Sequence, residues 1–259
     1  MCPVEINDYD QYTSGMSKSI WDKLFFMDKL DNDIKSVIDY GCANGILLEE
    51  IHRLVGDEYK LIGYDINEDM IQNAKIRLGE DYEFFLNFQE CLNKVDTENT
   101  ILNLSSVIHE VYSYSREDEI EQFWKNVFES GFKYISIRDL CLSNSANRKV
   151  CMNDYTKLIC KAHSCQIDDY EQIWGSLQDN RNLIHFLMKY RYIANWDREV
   201  HENYFPLPLE ELLRKIPIDR YEIIYFEHYN LPFTQKKIKE DFDIVITDRT
   251  HVKLLLQIK

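Results

Sequence analysis

The sequence has little positive charge: 30 lysines and arginines stand against 45 aspartates and glutamates, for a formal net charge of −15. Proteins that hold nucleic acid along a broad surface usually carry a basic face, so this balance argues against that class, although a local basic groove remains compatible with it. Long apolar runs are also missing, and none approaches the roughly 18 residues that a membrane-spanning helix needs. The N-terminal stretch has neither the basic start nor the apolar core of a secretory signal. These absences predict a soluble protein without a membrane partner.

The cysteines do not form an obvious paired set. Seven occur, an odd number, and Cys42, Cys91 and Cys141 stand beside apolar runs. This usage indicates free, buried thiols in a reducing compartment, so we expect a cytoplasmic protein. The segment 160–165, CKAHSC, lacks the paired Cys-x-x-Cys arrangement of structural zinc sites, so no metal is predicted.

Strand-like and helix-like segments alternate over the first 150 residues, which is typical of an α/β fold with a parallel sheet and helical crossovers. Gly56, Gly79 and Gly131 fall where helices are expected to end in left-handed caps. The predicted strands cover residues 36–39, 60–64, 82–86, 100–107 and 133–138. The predicted helices cover residues 45–55, 67–78 and 116–130.

The hydrophobic period changes after Leu140. Apolar residues recur at helical spacing in three successive stretches, which indicates a helical insertion after the fifth strand that ends near residue 216. Strand patterns return at 221–227 and 251–258. The predicted organisation is therefore a core over residues 1–140, an insertion over residues 141–218 and final strands of the core sheet over residues 219–259.

Residues 37–45, VIDYGCANG, have the pattern of a strand, a glycine-bearing turn and the start of a helix. Asp39 ends the strand, and Gly41, Ala43 and Gly45 occupy alternate positions of the turn. Small residues let a ligand approach the backbone closely, and the free N–H groups at the helix N-terminus can bind it. The turn is therefore a candidate ligand-binding loop.

A dinucleotide site requires Gly-x-Gly-x-x-Gly, but its last position is Ile46 here. The pattern acid-x-Gly-x-Gly-x-Gly fits with Ala43 in place of the middle glycine. A second acid, Asp65, ends the next strand, and Asn67 is a suitable N-cap for the helix that follows. A carboxylate at that place can accept two hydrogen bonds from a ribose diol. With these two motifs the chain resembles the class I S-adenosylmethionine-dependent methyltransferases, a Rossmann-like family.

The resemblance covers about residues 16–140 well and the last two strands loosely. It implies a doubly wound α/β fold whose mostly parallel seven-stranded sheet has an antiparallel last strand. It also implies an enzyme that binds S-adenosyl-L-methionine over the carboxyl ends of the strands and transfers its methyl group. The segment before the first strand would form an N-terminal cap helix over the cofactor. Tyr9 and Tyr12 would either close the pocket or be surface aromatics.

The resemblance also assigns cofactor contacts, with Asp65 on the ribose and Ile66 packed on the adenine. The family often places an acid near the end of the third strand for the adenine amino group. This chain has NFQEC there, without a clear equivalent, so Asn87 is the candidate and Glu90 the alternative. The predicted cofactor-binding set is Asp39, Gly41, Ala43, Gly45, Asp65, Ile66, Asn87 and Ser105.

In the family, the loop after the fourth strand borders the transferred methyl. Here that loop places His109 and Glu110 just past Ser105. A histidine near neutrality can remove a proton from an attacking oxygen or nitrogen, and a neighbouring carboxylate can orient it. We expect these two residues to be catalytic; the alternative is that they cap the following segment.

The insertion is expected to act as a cap over the site and to supply the acceptor pocket. Residues 189–208 interleave aromatic and basic side chains, which could stack on a planar substrate, or could simply fill a groove between helices. The predicted substrate contacts are Tyr190, Arg191, Tyr192 and Trp196.

A small-molecule acceptor is favoured, and two alternatives stay open. One is methylation of RNA or DNA, and the other is a non-catalytic module that binds the cofactor or a partner. The acceptor atom and the oligomeric state are not predicted. A nucleic acid would engage the basic residues Lys189, Arg191, Arg198, Lys236, Lys237 and Lys239.

Overall fold

A computed structural model describes residues 19–79 and 82–259 of the chain. Tyr9 and Tyr12, and the first residues of the predicted cap helix, lie outside this part. Among the described residues no helix combines the length and the apolar character needed to cross a membrane.

Seven strands form one sheet. Their spatial order is β3-β2-β1-β4-β5-β7-β6, so the chain moves outward from β1 to β3 and then returns to place β4 on the other side of β1. The first five strands pair in parallel, while β7 is antiparallel to both β5 and β6. The predicted seven-stranded sheet with an antiparallel last strand is confirmed. The strands are β1 Ser36–Tyr40, β2 Lys60–Tyr64, β3 Glu83–Phe85, β4 Thr100–Ser105, β5 Tyr134–Leu140, β6 Tyr221–Tyr229 and β7 His251–Ile258.

Helices connect these strands and cover the sheet. Up to β5 they are α1 Ile20–Lys23, α2 Ile46–Val55, α3 Glu68–Leu78, α4 Phe88–Leu92, α5 Ile108–Tyr114 and α6 Glu117–Glu129. After β5 they are α7 Met152–Lys161, α8 Ser164–Trp174, α9 Asn180–Lys189, α10 Trp196–Glu199, α11 Leu209–Lys215 and α12 Pro232–Phe242. Short 3₁₀ turns lie at Met27–Lys29, Gly56–Glu58, Thr97–Asn99, Asn144–Ala146 and Ile193–Asn195.

Both faces of the sheet are buried because neighbouring residues of a strand point to opposite sides. Ile38 and Leu102 belong to a core with helices α4 and α6. Val37 and Ile101 belong to a second core with α1, α2 and α3. This two-sided burial explains why the strands have nearly continuous apolar sequences.

The helices after β5 have a third core of their own. It unites residues of α7 to α10, including Leu158, Tyr170 and Phe186, and α12 contributes Ile238 and Phe242. Helix α12, which lies between the last two strands in sequence, thus packs with the helices after β5. The domain boundaries given above remain a prediction.

The fourth strand ends earlier than its apolar sequence predicts. Strand β4 stops at Ser105 because Ser106 has a φ of 61°, a left-handed conformation that interrupts pairing. The Ser106 N–H instead donates to the Arg138 carbonyl, 2.7 Å away. Helix α5, which the sequence pattern did not indicate, begins two residues later and carries His109 and Glu110.

Candidate active site

The glycine turn after β1 has an unusual backbone. Gly41, Ala43 and Gly45 all have positive φ, of 75°, 46° and 76°. A Cβ on Gly41 would lie 2.9 Å from Cγ2 of Val107, so the turn sits directly against the loop after β4. The two loops therefore meet at the carboxyl edge of the sheet, at the point where the strand order reverses.

Gly45 has a different neighbour from the one expected for a ligand-binding glycine. A Cβ there would lie 3.2 Å from Cβ of Ala74 and 3.0 Å from Cδ1 of Leu78, both on α3. Its small size therefore lets α2 approach α3, and it does not line the cavity described below.

Asp65 holds the turn in place. Its Oδ2 accepts the Ala43 N–H at 2.8 Å, and its Oδ1 accepts the Asn67 N–H at 2.9 Å. Burial raises the pKa of this carboxyl, and the backbone N–H groups oppose that rise. Each oxygen keeps a second lone pair for a ligand donor. The neighbouring Ile66 is 40% exposed, which leaves an apolar surface beside the acid.

Asp39 is buried behind the turn and does not line the cavity. Its Oδ1 accepts a hydrogen bond from Nδ2 of Asn103 at 2.7 Å. Burial raises the pKa of Asp39 to about 7, against the opposing effects of Asn103 and Lys23. In the described residues Oδ1 of Asn103 has no hydrogen-bond partner. Asp39 is therefore a buried carboxyl whose ionised form is disfavoured, and it is not exposed to a ligand.

The substitution Asp39→Asn is expected to stabilise the protein by about 1–3 kcal/mol at pH 7.5, since it removes a buried charge and offers a donor to Asn103. A carboxyl whose pKa is higher in the folded chain than in the unfolded chain takes up a proton on folding between the two values. Its contribution therefore lowers the free energy of unfolding as pH rises from about 4 to about 7. Urea unfolding at pH 5 and pH 7.5 measures this. A gain that is equal at both pH values, or absent, would contradict it.

A cavity of about 400 Å³ opens at this edge of the sheet. The glycine turn, Asp65 and the loop after β4 form one wall. Residues of α9, α10 and α12 and of the segments next to these helices form the other. Of the predicted site residues, those that line it are Gly41, Ala43, Asp65, Ser105, His109, Glu110, Tyr190, Arg191 and Tyr192.

Two predicted contacts lie elsewhere for clear reasons. The side chain of Asn87 caps α4 by accepting the Gln89 N–H at 2.9 Å, and it is not in the cavity wall. Trp196 is buried in the core of the helices after β5, where its Nε1 donates to Asp169 at 3.0 Å. An aromatic at helical spacing filled a core here, which sequence alone does not distinguish from a substrate platform.

His109 is held between two carboxylates. Its Nδ1 lies 2.5 Å from Oδ1 of Asp139, and its Nε2 lies 3.1 Å from Oε1 of Glu202. Burial by itself would lower the pKa of His109, but the two carboxylates outweigh it and hold the pKa well above its ordinary value. A base needs a free nitrogen lone pair, whereas here both nitrogens serve as donors. The geometry therefore favours a structural cation over the predicted base.

The ion pairs continue into the helices after β5. Arg198 contacts Glu199 at 3.1 Å, Glu202 at 3.0 Å and Glu110 at 3.4 Å. His109, Glu110 and Glu202 bring potential metal ligands within 4.8 Å of one another. Because His109 and Arg198 already supply positive charge to these carboxylates, the cluster is balanced by the chain's own side chains.

Lys23 is a cavity residue that sequence reasoning missed. It lies on α1, is only 7% exposed, and its Nζ has no hydrogen bond or ion pair with any described residue. Burial and the nearby Arg138 lower its pKa to about 8, against the opposing effect of Asp39. A buried ammonium without a partner is costly, so this place favours an anionic ligand group. No motif marks such a lysine, because its burial comes from elements distant in sequence.

The neighbouring residue Asp22 anchors α1 to the sheet. It accepts from Nε of Arg138 at 3.0 Å, from the Tyr229 hydroxyl at 2.5 Å and from Nζ of Lys253 at 2.7 Å. These contacts reach β5, β6 and β7. They explain why Lys23, the next residue, is held over the cavity.

The basic residues considered for nucleic acid are mostly engaged within the protein. Lys189 is fully buried and donates to the Glu199 and Glu202 carbonyls at 2.7 and 2.6 Å. Arg198 is buried in the ion-pair network. Lys236, Lys237 and Lys239 pair with acids of their own helix or its C-cap.

Comparison with known families shows to which family the chain belongs. Residues 31–180 match the family described as "Methyltransferase domain", so the chain belongs to that family. A search of curated proteins finds no match. The predictions of a class I methyltransferase, of an enzyme and of S-adenosylmethionine as cofactor are confirmed at the level of the family.

Several solved structures share the fold. A SAM-dependent methyltransferase from Archaeoglobus fulgidus is 15% identical, with a TM-score of 0.53 over 96% of this chain and 100% of that one. Magnesium protoporphyrin IX methyltransferase from Synechocystis with bound SAH is 10% identical, with a TM-score of 0.51 over 99% and 90%. The plantazolicin methyltransferase BamL, in complex with a triazolic desmethylPZN analog and SAH, is 15% identical, with a TM-score of 0.50 over 97% and 88%. At these identities the likeness concerns the fold.

Proposed function

We propose that the protein transfers a methyl group from S-adenosylmethionine to a small molecule bound in the cavity. The observation that carries this proposal is the cavity itself. Its first wall is the glycine turn with Asp65, and its second wall is built by α9, α10 and α12 and the segments next to them. A pocket of about 400 Å³ suits a ligand of modest size.

The residues of the first wall fit this cofactor. Asp65 presents free lone pairs suited to the two ribose hydroxyls. Ile66 does not line the cavity, but its exposed side chain next to Asp65 offers an apolar surface for the adenine. Ser105 has a buried hydroxyl with no partner among the described residues. Lys23 supplies the cationic group that the carboxylate of the cofactor requires.

When bound, the cofactor supplies an electrophilic methyl on a sulfonium sulfur. The chain then has to orient the acceptor in line with that methyl and to exclude water. Tyr190, Arg191 and Tyr192 would contact the acceptor from the second wall, with Glu110 facing them from α5. The burial and pairing of most candidate basic residues make RNA or DNA a less favoured acceptor. One solved structure of the same fold is named for a porphyrin, which is consistent with a small acceptor.

Calorimetry of the binding of S-adenosylhomocysteine and 5′-methylthioadenosine tests the proposed cofactor site. The second compound lacks the amino-acid part. Lys23→Met is expected to weaken S-adenosylhomocysteine by about 10–100-fold, since a charged hydrogen bond contributes about 1.5–3 kcal/mol. It should leave methylthioadenosine unchanged. Asp65→Ala should weaken both ligands, because both contain the ribose.

The matched control is Lys35→Met, an exposed lysine just before β1. It should bind both compounds as the wild type does. Equal losses of both ligands in Lys23→Met would refute the carboxylate contact, and no binding by the wild type would refute the cofactor site. Formation of S-adenosylhomocysteine with the nucleic-acid fraction of an extract, and not with its small-molecule fraction, would overturn the acceptor class.

A further inference from the structure

One carboxylate on the acceptor side of the cavity stands out by its exposure. The Glu110 side chain is 32% exposed, whereas Glu199 and Glu202 are 4% and 2% exposed. Oε1 of Glu110 faces Nη2 of Arg198 at 3.4 Å. Among residues 19–79 and 82–259, no hydrogen bond reaches its Oε2. Glu110 therefore keeps one oxygen for a ligand in the cavity.

A chain of alternating charges holds this carboxylate in place. It starts at Asp139 at the end of β5 and passes through His109 to Glu202, with contacts of 2.5 and 3.1 Å. Glu202 then contacts Arg198 at 3.0 Å, and Arg198 contacts Glu110. Every member except Glu110 is buried. The network therefore spans from the core sheet to α10, and Glu110 is its most exposed member in the cavity wall, where Glu202 also lies.

Part of the second wall is apolar, beside polar side chains such as Arg191, Thr234 and Lys237. Leu187 and Met188 come from α9, Ile238 comes from α12 and Leu231 immediately precedes α12. The apolar part can hold an apolar body of the acceptor. The Oε2 of Glu110 in the same cavity selects a group that can donate a hydrogen bond, because an ionised carboxylate only accepts.

We propose that Glu110 receives the proton of the methyl acceptor, that Arg198 and Glu202 position it, and that the acceptor is therefore a hydroxyl or amine carried on an apolar body. This rests on the proposed function. A bond forms between the acceptor oxygen or nitrogen and the methyl carbon, while the carbon–sulfur bond breaks and its electron pair stays on sulfur. The acceptor proton moves to Oε2 of Glu110 and then to water.

The environment of Glu110 supports this role. Burial raises its pKa to about 7, and the Glu202 carboxylate adds to the rise while Arg198 opposes it. His109 from the same helix also lowers the pKa, Asp65 at the end of β2 raises it, and Lys23 faces it from α1. A base is most effective when its pKa lies near the working pH.

The test uses substituted phenols and anilines, each with its fully methylated counterpart, in a panel assayed for S-adenosylhomocysteine formation. Only the compounds with an O–H or N–H should turn over. Glu110→Gln should lower turnover by about 10²–10⁴-fold while the affinity for S-adenosylhomocysteine stays unchanged. For a phenol, kcat/KM of the wild type should rise with pH through about 7, and Glu110→Gln should lack this limb.

Arg198→Lys tests positioning, since it keeps the charge but loses the planar fork. It should lower kcat more than it raises KM, and Glu121→Gln, an exposed acid on α6, should do neither. Turnover of the methylated counterparts, full activity of Glu110→Gln, or no turnover of any protic compound would overturn the proposal. In each of these cases intact binding of S-adenosylhomocysteine leaves the cofactor site standing, whereas its loss in the wild type would refute the proposed function instead.

Discussion

Replacement of Arg198 by methionine should lower the free energy of unfolding by about 3–5 kcal/mol, because it leaves buried carboxylates without their counter-charge. The guanidinium is 8% exposed and contacts Glu199, Glu202 and Glu110 within 3.4 Å. Methionine fills much of the same volume but neutralises none of them. Urea unfolding at pH 7.5, without cofactor, measures the difference.

The matched control is Arg53→Met. Arg53 also contacts two glutamates, at 2.7 and 2.6 Å, but its side chain is 60% exposed on α2. Water screens such pairs, so this change should cost at most about 1 kcal/mol. Adding Glu202→Gln to Arg198→Met should recover part of the loss. Similar losses for both arginines, or no recovery in the double variant, would show that burial of the charges is not the cause.

The second large effect is expected at Gly45. Gly45→Val should destabilise the protein by about 3–5 kcal/mol, from the strain of a β-branched residue at positive φ and from contacts with α3. A Cβ there meets Ala74 and Leu78 at 3.2 and 3.0 Å. Because these neighbours belong to a helix, the loss should be the same with and without S-adenosylhomocysteine.

Gly56→Val separates the two causes. Gly56 also has positive φ, of 60°, but a Cβ there meets nothing within 4 Å. It should cost only the conformational strain, about 1–3 kcal/mol. Equal losses at the two glycines would remove the packing argument. A loss at Gly45 that appears only as weaker ligand binding would restore the idea that this glycine faces the cofactor.

Much of the fold could be predicted because its signals are local. The strands from β1 to β5 are short apolar runs, and Gly56 and Gly79 end helices where the pattern placed them. The turn at Gly41 and the acid Asp65 were identified from spacing along the chain, and both line the cavity. Strand ends and turns depend on nearby residues, so the local sequence was sufficient to predict them.

The structure differs from the expectations where the surroundings of a residue depend on distant partners. Trp196 stands among interleaved aromatic and basic residues, as expected for a substrate contact, yet the packing of the helices after β5 buries it. Asn87 stood after the third strand, and its side chain was used to cap a helix that the pattern did not predict. His109 was assigned as a base on its chemistry, but Glu202, 93 residues later, occupies its second nitrogen.

The sequence by itself determined the strands, the glycine turn and the acid that supports it, because these depend on backbone preferences and on side chains a few residues apart. Only the tertiary structure decided which ionisable groups face the cavity. Lys23 lines the cavity while Lys189 is fully enclosed, and Glu110 keeps an exposed carboxylate while Glu202 is buried by its partners, although the residue types are the same. The physical reason is that burial and pairing of a charge are set by chain segments far apart in sequence, which meet only when the sheet and the helices after β5 pack together.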